Sequence, residues 1–189
     1  ALVESLGSMR GKLGHTFEHV THSISRKLGV IESSGTILVT GATGVIGYRV
    51  ASRLLDAGYP KVRVGVRDIE NDEGLEKRGA DIVEFCWDKE ETYEKALDGV
   101  KSVFCTTPFI KGWITQFPKF LEACKKEGIH NFIKVSFFHA RQKGDPFHDI
   151  PFVKLHGICD DLLEKSGIPC TILNATHFMS NPLKFQGEE

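Results

Sequence analysis

Hydrophobic residues follow two patterns along residues 36–175. Short unbroken apolar runs, rich in β-branched side chains, alternate with longer segments in which apolar residues recur every three or four positions. The first pattern is typical of strands buried on both faces, and the second is typical of amphipathic helices. Their alternation predicts an α/β domain with a doubly wound parallel sheet. The predicted strands are 36–40, 62–66, 81–85, 101–106, 131–136 and 169–173, and the predicted helices are 45–57, 70–78, 90–97, 114–126 and 151–165.

Residues 1–35 are predicted to be an N-terminal amphipathic helical extension. Their apolar residues recur at helical spacing, and glycine and serine interrupt the pattern before the first strand. Such a stripe is expected to be buried on the main domain or on a partner protein. The opposite face carries histidines, which we interpret as a solvated face rather than a metal site. The stripe is Leu13, Phe17, Val20, Ile24, Leu28 and Ile31, and the histidines are His15, His19 and His22.

Composition narrows the class of protein. The chain has 189 residues and a net charge of −1, which predicts neither nucleic-acid binding nor attachment to anionic lipid. A mean hydropathy of −0.16 with no long apolar run predicts no transmembrane segment. Five scattered cysteines favour reduced thiols over a disulfide framework. The His, Cys and acidic residues show no spacing typical of metal ligands, so no metal site is predicted. We therefore expect a soluble intracellular protein of the cytoplasm or an organelle (the plastid stroma), not a secreted one. A first residue other than Met predicts a processed N-terminus.

A glycine-rich motif follows the first predicted strand directly. The strand at 36–40 runs into G-A-T-G-V-I-G at 41–47, and a helical pattern begins there. In a dinucleotide-binding turn, Gly41 makes the tight bend, Gly44 lets the backbone approach pyrophosphate, and Gly47 lets the helix pack on the strand. The start of the helix then offers N–H groups and its positive dipole end to phosphate. This order predicts a Rossmann-type domain over 36–189, with strand order 3-2-1-4-5-6.

The end of the second predicted strand bears on the choice of dinucleotide. Arg67 and Asp68 lie about twenty residues past the glycine turn, where an acidic residue binds the ribose of NAD and an arginine accommodates the 2′-phosphate of NADP. Arg67 comes first, and its planar guanidinium suits phosphate. Asp68 contacts ribose or caps the following segment. The sequence favours NADP(H), with NAD(H) as the alternative.

Several motifs together resemble one family over residues 36–183. They are T-G-A-T-G-V-I-G at 40–47, V-R-D at 66–68, G-A-D-I-V at 79–83 and L-H-G-I-C-D-D-L-L-E-K-S-G-I-P-C-T-I-L at 155–173. The chain resembles the atypical short-chain dehydrogenase/reductases, specifically the NmrA-like branch that includes isoflavone-reductase relatives.

The resemblance implies positions for the cofactor. The glycine turn would lie under the pyrophosphate, Arg67 would contact the 2′-phosphate, and Asp88 would lie near the adenine. The end of the fourth strand would run along the cofactor, and Ser136 would lie close to the nicotinamide. For Thr106, Thr107 and Ser136, the alternative is simple capping of strand ends. The implied cofactor-binding residues are Gly41, Thr43, Gly44, Val45, Ile46, Gly47, Arg67, Asp88, Thr106, Thr107 and Pro108.

The chain departs from related reductases that act on carbonyl groups at the position of the proton donor. Those enzymes use a Tyr and a Lys four residues apart, and here all three tyrosines precede Ser136. When the segments are aligned on K-S-G at 165–167, His156 occupies the usual Lys position and Lys154 lies two residues earlier. The candidate catalytic residues are therefore Ser136, Lys154 and His156.

Two functions follow from the resemblance. Family members continue past the position of Glu189 with elements that form most of the substrate pocket. Either this sequence is part of a longer one, or the chain is a nucleotide-binding core that lacks the substrate part. The favoured interpretation is a non-catalytic NAD(P)-binding regulator or accessory subunit of a larger complex. The alternative is an NADPH-dependent reductase of a small enone, quinone or carbonyl compound. In that case Ser136 would orient the substrate oxygen, and Lys154 or His156 would supply the proton.

Overall fold

A sheet of six parallel strands organises the described part of the chain. The computed structural model describes residues 35–107, 112–142, 144–145 and 147–176. The strands lie in the order β3-β2-β1-β4-β5-β6, which confirms the predicted topology. The predicted N-terminal helix, with its apolar stripe and its histidines, lies outside the described residues. The strands are β1 Thr36–Thr40, β2 Val62–Val66, β3 Asp81–Glu84, β4 Val100–Cys105, β5 Asn131–Phe137 and β6 Cys170–Ala175.

The strand order reverses beside β1. The chain places β2 on one side of β1 and β4 on the other, with Val39 in register with Val64 and with Phe104. In open parallel sheets a crevice forms at such a reversal, outside the carboxyl ends of the strands. The described helices are α1 Val45–Asp56, α2 Glu91–Leu97, α3 Trp113–Lys126 and α4 Pro151–Lys165, which confirms four of the predicted helices.

The predicted helix at 70–78 is wrong. Only a short 3-10 turn forms there, over Glu76–Arg78. Asp72 accepts hydrogen bonds from the backbone N–H groups of Gly74 at 2.9 Å and Glu76 at 2.7 Å, which replaces helical bonding with a side-chain turn. Glu73 and Gly74 have φ angles of 54° and 74°, in the left-handed region that interrupts a right-handed helix.

Two hydrophobic clusters cover the two faces of the sheet. One cluster packs residues of α1 against β1 and β2. The other is aromatic and joins α2, α3 and α4 to the opposite face. Its rings pack mostly edge to face, with centroids 5.0–6.4 Å apart, a geometry that aromatic pairs prefer. These rings are Phe85, Trp87, Tyr93, Trp113, Phe117, Phe120 and Phe132.

Strand β5 alternates buried and half-buried side chains. Phe132 is in the aromatic cluster, and Lys134 and Ser136 point to the same side because side chains two residues apart share a face. Both polar side chains are therefore placed in the interior, where they meet α4.

Helix α4 approaches the chain after β5 very closely. A Cβ atom on Gly157 would lie 2.3 Å from the carbonyl oxygen of Ala140 and 3.1 Å from its carbonyl carbon. The neighbour is backbone and cannot move aside cheaply. Glycine at this position therefore sets the distance between α4 and the end of β5, and with it the positions of His156 and Asp160.

We expect Gly157→Ala to destabilise the protein. In a helix interior this change ordinarily stabilises by up to about 1 kcal/mol. Here the clash with Ala140 should reverse the sign and lower the free energy of unfolding by about 1–3 kcal/mol. Urea denaturation measures it, with Lys154→Ala, an exposed position on the same helix, as a control expected to change stability by less than about 0.5 kcal/mol. An unchanged or raised free energy of unfolding for Gly157→Ala would contradict this packing account.

Candidate functional site

The turn between β1 and α1 is built from glycines that leave no room for a side chain. Gly41 has a φ of +63°, and a Cβ atom there would lie 2.1 Å from Oγ1 of Thr106. A Cβ atom on Gly47 would lie 2.2 Å from the carbonyl oxygen of Gly41. The chain therefore bends sharply after β1 and brings α1 directly over the strand end.

The N-terminus of α1 is open toward the carboxyl edge of the sheet. Its N-cap is Gly44, no side chain caps it, and its first turn contains no acidic residue. The first N–H groups of a helix lack acceptors within the helix, and the dipole makes this end positive. Thr43, Gly44 and Val45 are exposed, whereas Ile46 is half-buried and Gly47 is buried. This end can receive an anion.

The end of β4 is tied to the end of β1. The N–H of Thr106 donates to Oγ1 of Thr40 at 3.3 Å, and the Thr106 hydroxyl donates to the carbonyl oxygen of Thr40 at 3.1 Å. Thr106 therefore caps the strand ends in this structure. Thr107 is half-buried, and its Oγ1 lies 3.2 Å from Nε2 of His156. Pro108 lies outside the described residues.

Arg67 and Asp88 lie past the ends of β2 and β3, and both are exposed. Within the described residues Arg67 has no hydrogen-bond or ion-pair partner. Asp68 accepts a hydrogen bond from the N–H of Glu70 at 3.1 Å, so it acts as a turn cap. Among these residues the guanidinium thus makes no bond at the strand end, while the neighbouring carboxylate of Asp68 is engaged.

Ser136 belongs to a buried polar cluster with Lys134 and Asp160. Its hydroxyl lies 2.5 Å from Oδ2 of Asp160, and the residue is 3% exposed. Nζ of Lys134 lies 2.6 Å from Oδ1 of the same carboxylate, and both side chains of this ion pair are fully buried. Lys134 and Asp160 were not among the predicted site residues. A lysine in the middle of an apolar strand was the signal that could have found them.

His156 lies beside this cluster in an aromatic setting. Its ring centroid is 5.9 Å from Trp113 and 5.8 Å from Phe152. Burial, and then the nearby charge of Lys134, lower the pKa of His156 from 6.5 to about 4. His156 is therefore neutral at physiological pH, and its buried Nδ1 has no hydrogen-bond partner within the described ranges. Lys154, in contrast, is exposed.

Metal-ligand clusters and membrane-spanning helices are not found in the described ranges. Among those residues, no three His, Cys, Asp or Glu side chains lie where they could share a metal ion. In the same part of the chain no helix is both long enough and apolar enough to cross a membrane.

The parallel sheet, its order and the glycine turn at the reversal define a Rossmann-type α/β protein. Residues 33–188 match the model of the NmrA-like family, and the chain belongs to that family. The predicted family and fold class are thereby confirmed.

Comparisons with known proteins show which relatives the chain resembles and what share of their length it matches. The photosystem II assembly factor Ycf39 of Cyanophora paradoxa is 26% identical over 151 residues, which cover 76% of this chain and 46% of that protein. The NAD(P)H azoreductase of Xenophilus azovorans is 28% identical over 149 residues, which cover 79% of this chain and 50% of that protein. The chain spans about half the length of the curated relatives it matches.

A solved structure shares the fold. The triphenylmethane reductase of Citrobacter sp., complexed with NADP(H), superposes with a TM-score of 0.67 over 77% of this chain and 50% of that one. The sequences are 22% identical, so this likeness describes the arrangement of strands and helices.

We expect the burial of His156 to make stability depend on pH. Between its ordinary pKa of 6.5 and its folded value of about 4, the unfolded chain binds a proton that the folded chain does not. The free energy of unfolding should therefore fall as the pH drops through this window, by about 3 kcal/mol in total from this group. Denaturation at pH 7 and pH 4.5 measures it.

The variant His156→Gln should lose most of this contribution. The exposed His130 serves as a matched control, because His130→Gln should keep the wild-type pH dependence. Identical pH profiles for wild type and His156→Gln would contradict the assignment.

Proposed function

We propose that this chain binds NADP(H) across the carboxyl edge of its sheet and serves as a non-catalytic regulator or accessory subunit of a larger assembly. The observation that carries the proposal is a contrast along this edge. The β1–α1 end is open and positive, whereas at the β5 end the buried Ser136 is engaged by Asp160 and the half-buried His156 is engaged by Thr107. Such an edge can hold a dinucleotide without offering these two groups for proton transfer.

The glycine turn supports the binding of pyrophosphate. Gly44 leaves the α1 backbone without a side chain at the point where a phosphate would approach, and Gly41 and Gly47 hold the helix in place. Backbone N–H groups and the helix dipole then complement the negative charge. The residues of the glycine turn therefore fit a pyrophosphate group.

Arg67 supports a preference for the phosphorylated dinucleotide. It follows β2, which lies next to β1, so the two strand ends meet at the same edge. An adenosine ribose that extends from the glycine turn toward β2 would bring its 2′-phosphate near this guanidinium. Because Asp68 is engaged by the N–H of Glu70, its carboxylate is a weaker competitor for the ribose.

The nicotinamide end supports the non-catalytic function. General acid catalysis needs a donor within hydrogen-bond reach of the substrate oxygen. The Ser136 hydroxyl is buried against Asp160, and Nε2 of the neutral His156 shares a hydrogen bond with the Thr107 hydroxyl. Tyr93 is also buried, where its hydroxyl donates to the carbonyl oxygen of Trp87 at 2.7 Å. A relative named as an assembly factor agrees with this function.

The alternative is an NADPH-dependent reductase of a small enone, quinone or carbonyl compound. The observation that favours it is Lys154, which is exposed on α4 one half-turn before His156 and has no hydrogen-bond or ion-pair partner among the described residues. Bound NADPH would supply a hydride, and Lys154 would supply the proton. A relative named as an NAD(P)H azoreductase agrees with this alternative.

We expect NADPH to bind more tightly than NADH, and we expect this preference to depend on Arg67. Arg67→Ala should weaken NADPH binding by about 1.5–3 kcal/mol, the contribution of a charged hydrogen bond, and should leave NADH binding nearly unchanged. Calorimetric titration measures both affinities. Lys61→Ala removes an exposed cation just before the opposite end of β2 and should leave both affinities unchanged. Equal wild-type affinities for the two dinucleotides would contradict the NADP assignment.

We expect little or no reductase turnover from the 189-residue chain. General acid catalysis contributes about 10²–10⁴-fold, and the proposal leaves this step without a donor at Ser136 or His156. The assay follows NADPH oxidation against quinones, enones, aldehydes and azo dyes, with Lys154→Ala in parallel. Robust turnover that Lys154→Ala abolishes would overturn the non-catalytic function in favour of the reductase.

A further inference from the structure

A buried ion pair joins β5 to α4 across 26 residues of sequence. Nζ of Lys134 lies 2.6 Å from Oδ1 of Asp160, and neither side chain has any exposure to solvent. The pair borders the aromatic cluster, to which Trp113 belongs. Removing two charges from water is costly, and an apolar pair of similar volume often stabilises a fold as well or better. The presence of the pair therefore calls for a role besides stability.

The pair contacts the residues that line the β5 end of the candidate site. The Asp160 carboxylate also accepts a hydrogen bond from the Ser136 hydroxyl, and the Lys134 ammonium group lies 5.6 Å from the ring centroid of Trp113. That ring is 5.9 Å from the ring of His156, which lies one turn before Asp160 on α4. Ion pair, indole and imidazole thus form one contiguous group.

We propose that the Lys134–Asp160 ion pair is a positioning element of this site, which holds the Ser136 hydroxyl inward and keeps His156 in place as the hydrogen-bond partner of Thr107. The inference rests on the proposed function in so far as this edge receives the nicotinamide end of the dinucleotide. It deepens that function by naming the residues that keep proton donors away from the cofactor.

The charges around His156 support this role. Lys134 faces it from β5, and Asp160 lies on its own helix. The thiols of Cys105 on β4 and Cys159 on α4 are neutral, because burial raises the pKa of each to about 12. Burial and the charge of Lys134 together lower the pKa of His156. Removing the ion pair should therefore let His156 accept a proton more readily.

The variant Lys134→Met/Asp160→Asn tests the proposal. It removes both charges at once, so no unpaired charge is left in the interior, and the new amide oxygen can still accept the Ser136 hydroxyl. NMR titration of the imidazole resonances measures the pKa of His156 in the 189-residue chain, and His156→Gln assigns its signals among the eight histidines. We expect the pKa to rise measurably above its wild-type value of about 4 in the double variant, because the charge of Lys134 is removed while the burial of His156 remains.

Two further variants separate positioning from plain structural support. Lys134→Arg keeps the positive charge and should keep the pKa of His156 low. Lys101→Met removes an exposed lysine from β4 and should leave it unchanged. A folded double variant in which His156 titrates as in the wild type would overturn the proposal. If the double variant does not fold, Ser136→Ala/Lys134→Met/Asp160→Leu provides a charge-free and apolar replacement for the same measurement, with the same expected rise.

The titration is carried out without dinucleotide, so it does not depend on the proposed function. A raised pKa of His156 together with undetectable NADPH binding would support the positioning role and overturn NADP(H) binding. An unchanged pKa together with tight NADPH binding would overturn the positioning role alone.

Discussion

The contact between α1 and the end of β1 is the constraint on which the rest of the structure depends. The backbone of Gly47 lies so close to Gly41 that a single methyl group would be 2.2 Å from the Gly41 carbonyl oxygen. This approach starts α1 immediately above the strand and points its uncapped N-terminus at the carboxyl edge. Thr106 closes the other side of the turn, where it joins β4 to β1 by two hydrogen bonds with Thr40. A larger residue at Gly47 would push α1 away from the strand end, and one at Gly41 would collide with the Thr106 side chain that ties β4 to β1.

The carboxyl edge of the sheet, where this contact lies, has two halves with different properties. Parallel strands bring their carboxyl ends to one side, so Arg67 and Thr107 share an edge with the glycine turn although they are far apart in sequence. The half near β2 is open, cationic and exposed. The half near β5 is backed by a desolvated network in which Ser136, Asp160 and Lys134 satisfy one another. An edge of this kind has the features for binding an anionic cofactor, whereas reduction of a substrate would also require an available acid.

Sequence patterns predicted the elements that local chemistry determines. Strand β1 and the glycine turn could be recognised because each glycine has a stereochemical task at a fixed spacing. The predicted helix at 70–78 failed because Asp72 and Gly74 form a side-chain turn there, and helical spacing of the apolar residues does not reveal it. The lysine within the apolar strand β5 was a visible signal, but its pairing with Asp160 could not be predicted, since the two residues are 26 positions apart and meet only when α4 packs on β5. The burial of His156 depends on the same tertiary contact, so its neutral state was also beyond sequence reasoning.

An NMR titration of the backbone amides with NADPH tests the central claim most directly. Our account predicts that the largest chemical-shift changes fall on Gly41, Thr43, Gly44 and Arg67. Smaller changes should reach Thr107, and the ring signals of His156 should remain those of a neutral imidazole throughout. Shifts confined to other parts of the chain, or a glycine turn unaffected at saturating NADPH, would contradict the account. Our account divides the edge into an open half that binds the dinucleotide and a closed half that offers no proton donor. A His156 ring that becomes protonated on binding would contradict this division.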